Sequence, residues 1–156
     1  MRDNIRIFVK VCSETFDIPE PILEIGALHV PGQEGYANLR SFFPKKTYVG
    51  CDMRHGPGVD RIENVEWMTL ADETVGTVII VETLEHLESP HRATDEVFRV
   101  LRKGGVVIAT STQNFPIHNY PRDFWRFTPE SFNFLLKKFK QRSIGAQGDP
   151  LNPHTV

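Results

Sequence analysis

The stretch TVIIVETLEHLESPHRATDEVFRVLRKGGVVIAT, residues 77–110, sets the architecture. Thr77 to Val81 is β-branched and apolar throughout, the pattern of a strand buried on both faces in the middle of a parallel sheet. Ser89 to Arg102 then places Ala93, Val97, Val100 and Leu101 on one helical face. Lys103-Gly104-Gly105 stops that helix, and the basic residues near its end suit the helix dipole. Val106 to Thr110 repeats the buried-strand pattern. Strand, helix and strand in succession form the building unit of a parallel sheet.

The same alternation extends outward. Residues 3–15 carry Ile5, Phe8, Val9 and Cys12 at helical spacing, and Pro19 and Pro21 end that helix. Ile22 to Gly26 reads as a short strand running into glycine. Tyr36, Leu39, Phe42 and Phe43 give a second helical stripe, closed by Pro44. Thr47 to Asp52 reads as a second strand ending in a carboxylate, followed by the Gly56-Pro57-Gly58 turn and a short third strand over 59–63. On the other side, Thr128-Pro129-Glu130 is a helix start with a hydroxyl cap and proline at the first position, continued by Phe132, Leu135, Leu136 and Phe139. The expected fold is α/β, a Rossmann-like, doubly wound and mainly parallel sheet flanked by helices. One domain is expected over residues 1–156: an N-terminal helix in 1–18, a core over 20–140 and a short C-terminal segment over 141–156.

Composition excludes several classes. The 156 residues are 40% hydrophobic and 24% charged, near the globular average, with a formal net charge of −2. No global basic field exists, so nucleic acid is disfavoured as a partner. Lys137, Lys138, Lys140 and Arg142 read as the solvated face of the last helix. Cys12 and Cys51 belong to no C-x-x-C pair, so no zinc site rests on thiolates, and they suit a reducing compartment. No apolar run approaches the roughly 20 residues that span a bilayer, and the N-terminus lacks the pattern of a signal peptide. A soluble, cytoplasmic protein with no membrane partner is expected.

In doubly wound sheets ligands bind beyond the carboxyl ends of the strands. Glu24-Ile25-Gly26 ends the first strand, where glycine admits a ligand close to the backbone; a plain tight turn is the alternative. Asp52 ends the second strand, the place of a carboxylate that bonds ribose hydroxyls in nucleotide folds, with a turn cap as the alternative. After the fourth strand come Glu82, Glu85 and His86, which share one face if the stretch is helical. They could bind a divalent ion, His86 could serve as a general base, or the turn is simply ion-paired; no metal is assigned. Residues 113–128, QNFPIHNYPRDFWRFT, form an aromatic loop suited to a lid and a partly apolar pocket. Equally, its rings cover the sheet and Asp123 pairs with Arg126.

The ordered set ILEIG (22–26), YVGCDMRHGPGVD (48–60), VIIVETLEHLESP (78–90), EVFRVLRKGGVVIATS (96–111) and HNYPRDFWRFTPESF (118–132) resembles class I S-adenosylmethionine-dependent methyltransferases of the small bacterial type, over about residues 20–140. The resemblance implies S-adenosyl-L-methionine as cofactor and S-adenosyl-L-homocysteine as product. It puts Glu24, Gly26, Ala27 and Leu28 at the methionine end, Asp52 on the ribose, Met53 against the adenine, and Asn64 and Val65 at the adenine amine. Glu82 would line the transfer site. His86, His118, Tyr120, Trp125 and Arg126 become candidates for the substrate side, and His86 or His118 is the expected catalytic base, because histidine titrates near neutral pH. Leu28 and Val30 stand where the family usually carries glycine, and Asn64 where it often carries Asp. The usual sixth strand is expected to begin at Ser143 to Ala146, leaving little chain for a seventh.

The expected function is methyl transfer to a small-molecule acceptor. The competing reading is a non-catalytic module that binds the cofactor or its product, or another protein. An NAD-dependent oxidoreductase is disfavoured, because a full G-x-G-x-x-G run is missing.

Overall fold

A computed structural model describes residues 2–32, 35–118, 122–149 and 151–156. Helix α1 (Asp3–Thr15) is followed by β1 (Ile22–Ile25), β2 (Tyr48–Asp52), β3 (Arg61–Ile62), β4 (Val75–Val81), α2 (Pro90–Val100), β5 (Leu101–Thr110), α3 (Pro129–Leu135), β6 (Gln147–Asp149) and β7 (Asn152–Thr155). The main sheet has the order β3-β2-β1-β4-β5, and every pair in it is parallel. The chain builds outward from β1 to β3 on one side, then crosses to β4 and β5 on the other. The reversal makes the carboxyl ends of β1 and β4 the switch point of a doubly wound sheet.

Strand alternation divides the core into two layers. Leu23, Ile25, Val78 and Ile80 face the layer that holds Ala93, Val97, Val100, Phe127, Phe132 and Leu135. Ile22, Ile79 and Val81 face the opposite layer with Ile5, Val9, Leu39 and Ile108. All seven residues of β4 are buried, so the β-branched run is what a strand covered on both sides requires. Thr128 accepts a hydrogen bond from the Ser131 backbone N–H and closes a reciprocal capping box at the start of α3, with proline inside the first turn as expected.

Four expectations are corrected. The stripe Tyr36 to Phe43 forms only a 3-10 turn, Leu39–Phe42, capped by Asn38. Leu39 and Phe43 reach the core while Tyr36 stays 39% exposed, and Pro44 leaves no room for a longer helix. The helix expected over 89–102 ends at Val100, and Lys103-Gly104-Gly105 lies within β5. The register there jumps from Val75↔Leu101 to Thr77↔Val106, so the glycines form a bulge. Gly104 takes φ +78°, and a Cβ on Gly105 would lie 2.7 Å from the Gly76 carbonyl oxygen. Helix α3 stops at Leu135, and Phe139 packs on the core after a further turn. Ser143 to Ala146 forms no strand. The chain ends instead in the antiparallel β6–β7 hairpin, joined to the segment after β5 by a Thr112↔Thr155 bridge and by hydrogen bonds between Ser111 and Val156.

A carboxylate is buried inside the sheet. Glu24 is 6% exposed and accepts a 2.8 Å hydrogen bond from the Tyr48 hydroxyl. Burial pushes its carboxyl up to about 7; the Tyr48 hydrogen bond and the nearby Arg40 oppose the shift, and Asp60 adds to it.

Two outcomes follow from this packing. Ile79 is fully buried at the sheet centre, so Ile79→Ala should cost about 2–5 kcal/mol in urea unfolding; a loss below about 1 kcal/mol would contradict the packing. For Glu24 the folded pKa lies above the ordinary one, so ionisation works against the fold. Stability present at low pH is lost as pH rises from 4.5 through about 7, by an amount on the order of 3 kcal/mol. Glu24→Gln keeps an acceptor for Tyr48 and removes the charge. Its thermal midpoint should fall less than that of the parent between about pH 5 and 8, and equal falls would show that Glu24 is not the titrating group.

Candidate functional site

The loop after β1 is locked to the turn after β2. The backbone N–H groups of Gly26 and Ala27 both donate to the Cys51 carbonyl, and that of His29 donates to Pro57. A Cβ on Gly50 would lie 2.1 Å from the Gly58 carbonyl oxygen, and one on Gly58 2.2 Å from that of Ala27. The glycines of VGCDMRHGPG therefore permit the two loops to touch. Gly26 itself is exposed, with φ +78°, and a Cβ there would meet the Thr83 hydroxyl at 2.3 Å. The Thr83 hydroxyl donates to the Ile25 and Val81 carbonyls, bridging the ends of β1 and β4.

Around this cradle the parallel strands deliver the expected residues to one edge. Asp52 ends β2, and its carboxylate accepts a 3.0 Å hydrogen bond from the Arg54 backbone. Met53 beside it is 60% exposed. Asn64 caps the 3-10 turn Val65–Trp67 by accepting from Glu66 N–H, and Val65 is in the core. Leu28 is half-buried and Ala27 buried. Glu82 follows β4 with φ +48°. Its carboxylate pairs with the Arg2 guanidinium at 2.5 Å and accepts from the Thr110 hydroxyl at 3.2 Å. Arg2 also donates to the Thr155 hydroxyl at 2.7 Å. Nothing in the sequence pattern marks Arg2, because it acts across 80 residues of chain.

The expectation that Glu82, Glu85 and His86 share a helical face is corrected. Only Leu84–His86 forms a 3-10 turn, and the left-handed Glu82 points its carboxylate to Arg2. Glu85 turns inward and is fully buried, accepting a 2.6 Å hydrogen bond from the Ser111 hydroxyl. Burial and the neighbouring Glu82 push its carboxyl up to about 7. Its Oε1 has no partner among the described residues. Burial also lowers the His86 pKa, and His118 adds to that fall.

The aromatic loop is fastened to this turn. The Phe124 and Trp125 backbone N–H groups donate to the Glu85 carbonyl, and the Trp125 indole N–H donates to the Leu87 carbonyl at 2.8 Å. Asp123, whose side chain is almost fully buried, receives both terminal nitrogens of Arg126 at 2.5 and 2.7 Å. It also receives the His118 backbone N–H at 2.8 Å. The Arg126 hydrogen bonds hold the Asp123 carboxyl well below the usual carboxylate range. Arg126 further donates to the Phe115 carbonyl, so its guanidinium is spent on shaping the loop. The pairing of Asp123 with Arg126 was legible from their spacing. The His86 and His118 rings meet edge-to-face at 4.9 Å, and Trp125 is 44% exposed. Tyr120 lies outside the described residues.

Residues 36–109 match the family model for a methyltransferase domain. No curated protein sequence matches the chain. Among solved structures, the trans-methyltransferase CalH in complex with SAH aligns with a TM-score of 0.69 at 14% identity, over 96% of this chain and 53% of that one. A SAM-dependent methyltransferase from Archaeoglobus fulgidus gives 0.67 at 15% identity, over 88% of this chain and 68% of that one. The [4+2]-cyclase SpnF gives 0.64 at 17% identity, over 86% and 56%. The chain thus spans little more than half the length of CalH and SpnF. At these identities the likeness is one of fold. Residues 36–109, a little under half of the chain, thus resemble a methyltransferase domain, and the parallel sheet has the fold of these solved methyltransferases.

Proposed function

We propose that this protein transfers a methyl group from S-adenosylmethionine to a small-molecule acceptor. The observation that carries the reading is the convergence, at the switch point of the sheet, of an exposed left-handed Gly26 with Asp52 and Glu82 at the ends of the flanking strands. An adenosyl cofactor suits that edge. Gly26 offers bare backbone, because a side chain would strike Thr83. Asp52 offers a carboxylate to the ribose hydroxyls. Met53 offers exposed apolar surface to the adenine, and Asn64 with Val65 the polar and backbone contacts beside it. Glu24, Ala27 and Leu28 shape the methionine end, with Glu82 next to the transfer site.

S-adenosylmethionine, when bound, supplies a methyl group already activated by its sulfonium. The chain's own task is to hold the acceptor in line with that methyl, exclude water and take a proton where the acceptor is an alcohol or amine. The loop fastened by Asp123 and Arg126 supports the first two tasks, with Trp125 on the acceptor side and the Arg126 guanidinium holding the loop. His86 and His118 are the candidates for the third, since a neutral imidazole nitrogen accepts a proton. The nucleophile forms its bond to carbon as the carbon–sulfur bond breaks, leaving S-adenosylhomocysteine. A reducing, cytoplasmic setting is proposed from Cys12 and Cys51, both buried and unpaired. Among the described residues no helix is long and apolar enough to cross a membrane.

Calorimetric titration with S-adenosylhomocysteine tests the reading. The intact chain should bind with micromolar affinity, NAD should give no heat, and Asp52→Ala should weaken binding at least about tenfold, the loss of roughly one charge-assisted hydrogen bond. No binding by the intact chain overturns the proposal and favours the non-catalytic module.

A further inference from the structure

The two edges of the main sheet differ. At one edge β3 is two residues long and carries the Arg61–Glu63 ion pair, a short, charged end of the kind that discourages further pairing. At the other edge β5 pairs with β4 alone among the described strands. Residues 104–110, GGVVIAT, contain no charge and no proline, so neither of these devices guards the edge. The free side can be assigned residue by residue. Ser111 donates to and accepts from Val156, away from β4, while the Thr110 carbonyl accepts from Glu82 on the β4 side. Backbone groups alternate along a strand, so Val107 and Ala109 present their N–H and C=O outward, as Ser111 does. Among the described residues, no backbone hydrogen bond reaches either of them from beyond that edge.

The helix over this edge is apolar on the same side. Val106 and Ile108 pack with Ile5 and Val9 of α1 in one layer of the core. On one flank of α1, the Arg6 guanidinium lies over the Tyr36 and Phe42 rings in the connection to β2. On the opposite flank, Asn4 donates to Gln147 of β6, past the end of β5. With 3.6 residues per turn, Ile7, Phe8 and Val11 fall on the Asn4 flank, and all three are exposed. The flank therefore extends the open edge of β5 with uncharged, apolar surface.

We propose that a second copy of this chain covers this surface, β5 pairing antiparallel with β5 of that copy about a two-fold axis at Ile108. In this register Val107 and Ala109 of one copy exchange N–H and C=O hydrogen bonds with Ala109 and Val107 of the other, and the two Ile108 residues lie opposite each other. The ladder ends where Val156 already holds Ser111. The axis is perpendicular to the sheet, so both α1 helices stay on one face, where their Ile7, Phe8 and Val11 flanks meet. A second copy suits the surface because a two-fold contact sets each patch against itself. An antiparallel ladder is complementary to itself, and an uncharged patch meets its like without repulsion. Arg102 and Lys103 of the two copies fall at opposite ends of the paired strands. A specific interface needs about 1,000 Å2 in total, and a short ladder with three large apolar side chains from each copy is of that size.

Sedimentation equilibrium of the full chain from about 1 to 100 μM tests the contact, and a reversible dimer is expected in that range. Val11→Lys, at an exposed position, and Ala109→Pro, which removes an outward N–H, should each raise the dimer dissociation constant at least about tenfold while retaining the parent circular dichroism spectrum. Phe134→Lys, at an exposed ring on α3, should dimerise like the parent. Amide hydrogen exchange supplies a second readout. The Val107 and Ala109 amides should exchange at least about tenfold faster once the dimer is diluted apart, while that of Ile108, directed at β4, keeps its protection. Val11→Lys keeps the test decisive if proline at 109 prevents folding. A monomer throughout the range, or a dimer that both variants leave intact, overturns the proposal. So does protection of Val107 and Ala109 that persists in the monomer, which would show another segment of the same chain on the edge. The contact is independent of the methyl-transfer reading, and no adenosyl compound enters its test.

Discussion

The parallel pairing of β1 with β4 is the constraint on which the rest depends. Ile22 lies opposite Thr77 and Ile25 opposite Ile80, which brings Gly26 over Thr83 and sets the level of both loops that follow. Parallel strands need long crossovers, and here the crossovers leave in opposite directions from this pair. The all-buried β4 gives this pairing its strength, through side chains packed on both faces. A slip of one residue would expose Val78 and Ile80 to the wrong layer and move Glu82 away from Arg2.

A second level of organisation rests on the turn Leu84–His86. Its backbone and its side chains do different work. The Glu85 carbonyl, with Leu87 beyond it, anchors the aromatic loop, while the Glu85 carboxylate turns into the protein beside Ser111. Asp123 and Arg126 then hold the loop to itself with a two-pronged ion pair shielded from water. Loop and turn are thus joined by hydrogen bonds, and the Arg122 carbonyl on His86 and the Asp123 carboxylate on the His118 backbone set the two histidines relative to each other. This is how a loop between β5 and α3 acquires the fixed geometry that binding or catalysis requires.

Legibility from the residues followed the range of the interactions. The strands read at 77–81 and 106–110 were legible because burial within a parallel sheet leaves a continuous apolar run, and those at 22–26 and 47–52 because short apolar stretches end in Gly26 and Asp52. The start of α3 could be read because Thr128, Pro129 and Ser131 act within one turn. Misreadings came where the decisive partner lies elsewhere in the chain. Lys103-Gly104-Gly105 looks like a helix stop, and becomes a bulge only because Leu101 pairs with Val75. The stripe from Tyr36 to Phe43 has helical spacing, yet Pro44 and the descent of Phe43 into the core limit it to one turn. The β6–β7 hairpin carries exposed, polar residues; its partner is the segment after β5, which no local pattern announces.

For the site the division is sharper. Residue order alone pointed to one edge of the sheet, since a parallel sheet puts every strand's carboxyl end on the same side, and so Gly26, Asp52 and Glu82 could be named as candidates without coordinates. Chain order also identified the aromatic loop and the Asp123–Arg126 pair, three residues apart. What each carboxylate faces was settled only by folding. Glu82 and Glu85 are three residues apart and alike in the sequence, but one meets Arg2 at the protein surface and the other is enclosed beside Ser111 and two histidines. Periodicity can assign a side chain to a face; the charge and hydrogen-bonding partners on that face come from segments dozens of residues away, and only the packed tertiary structure brings them within reach.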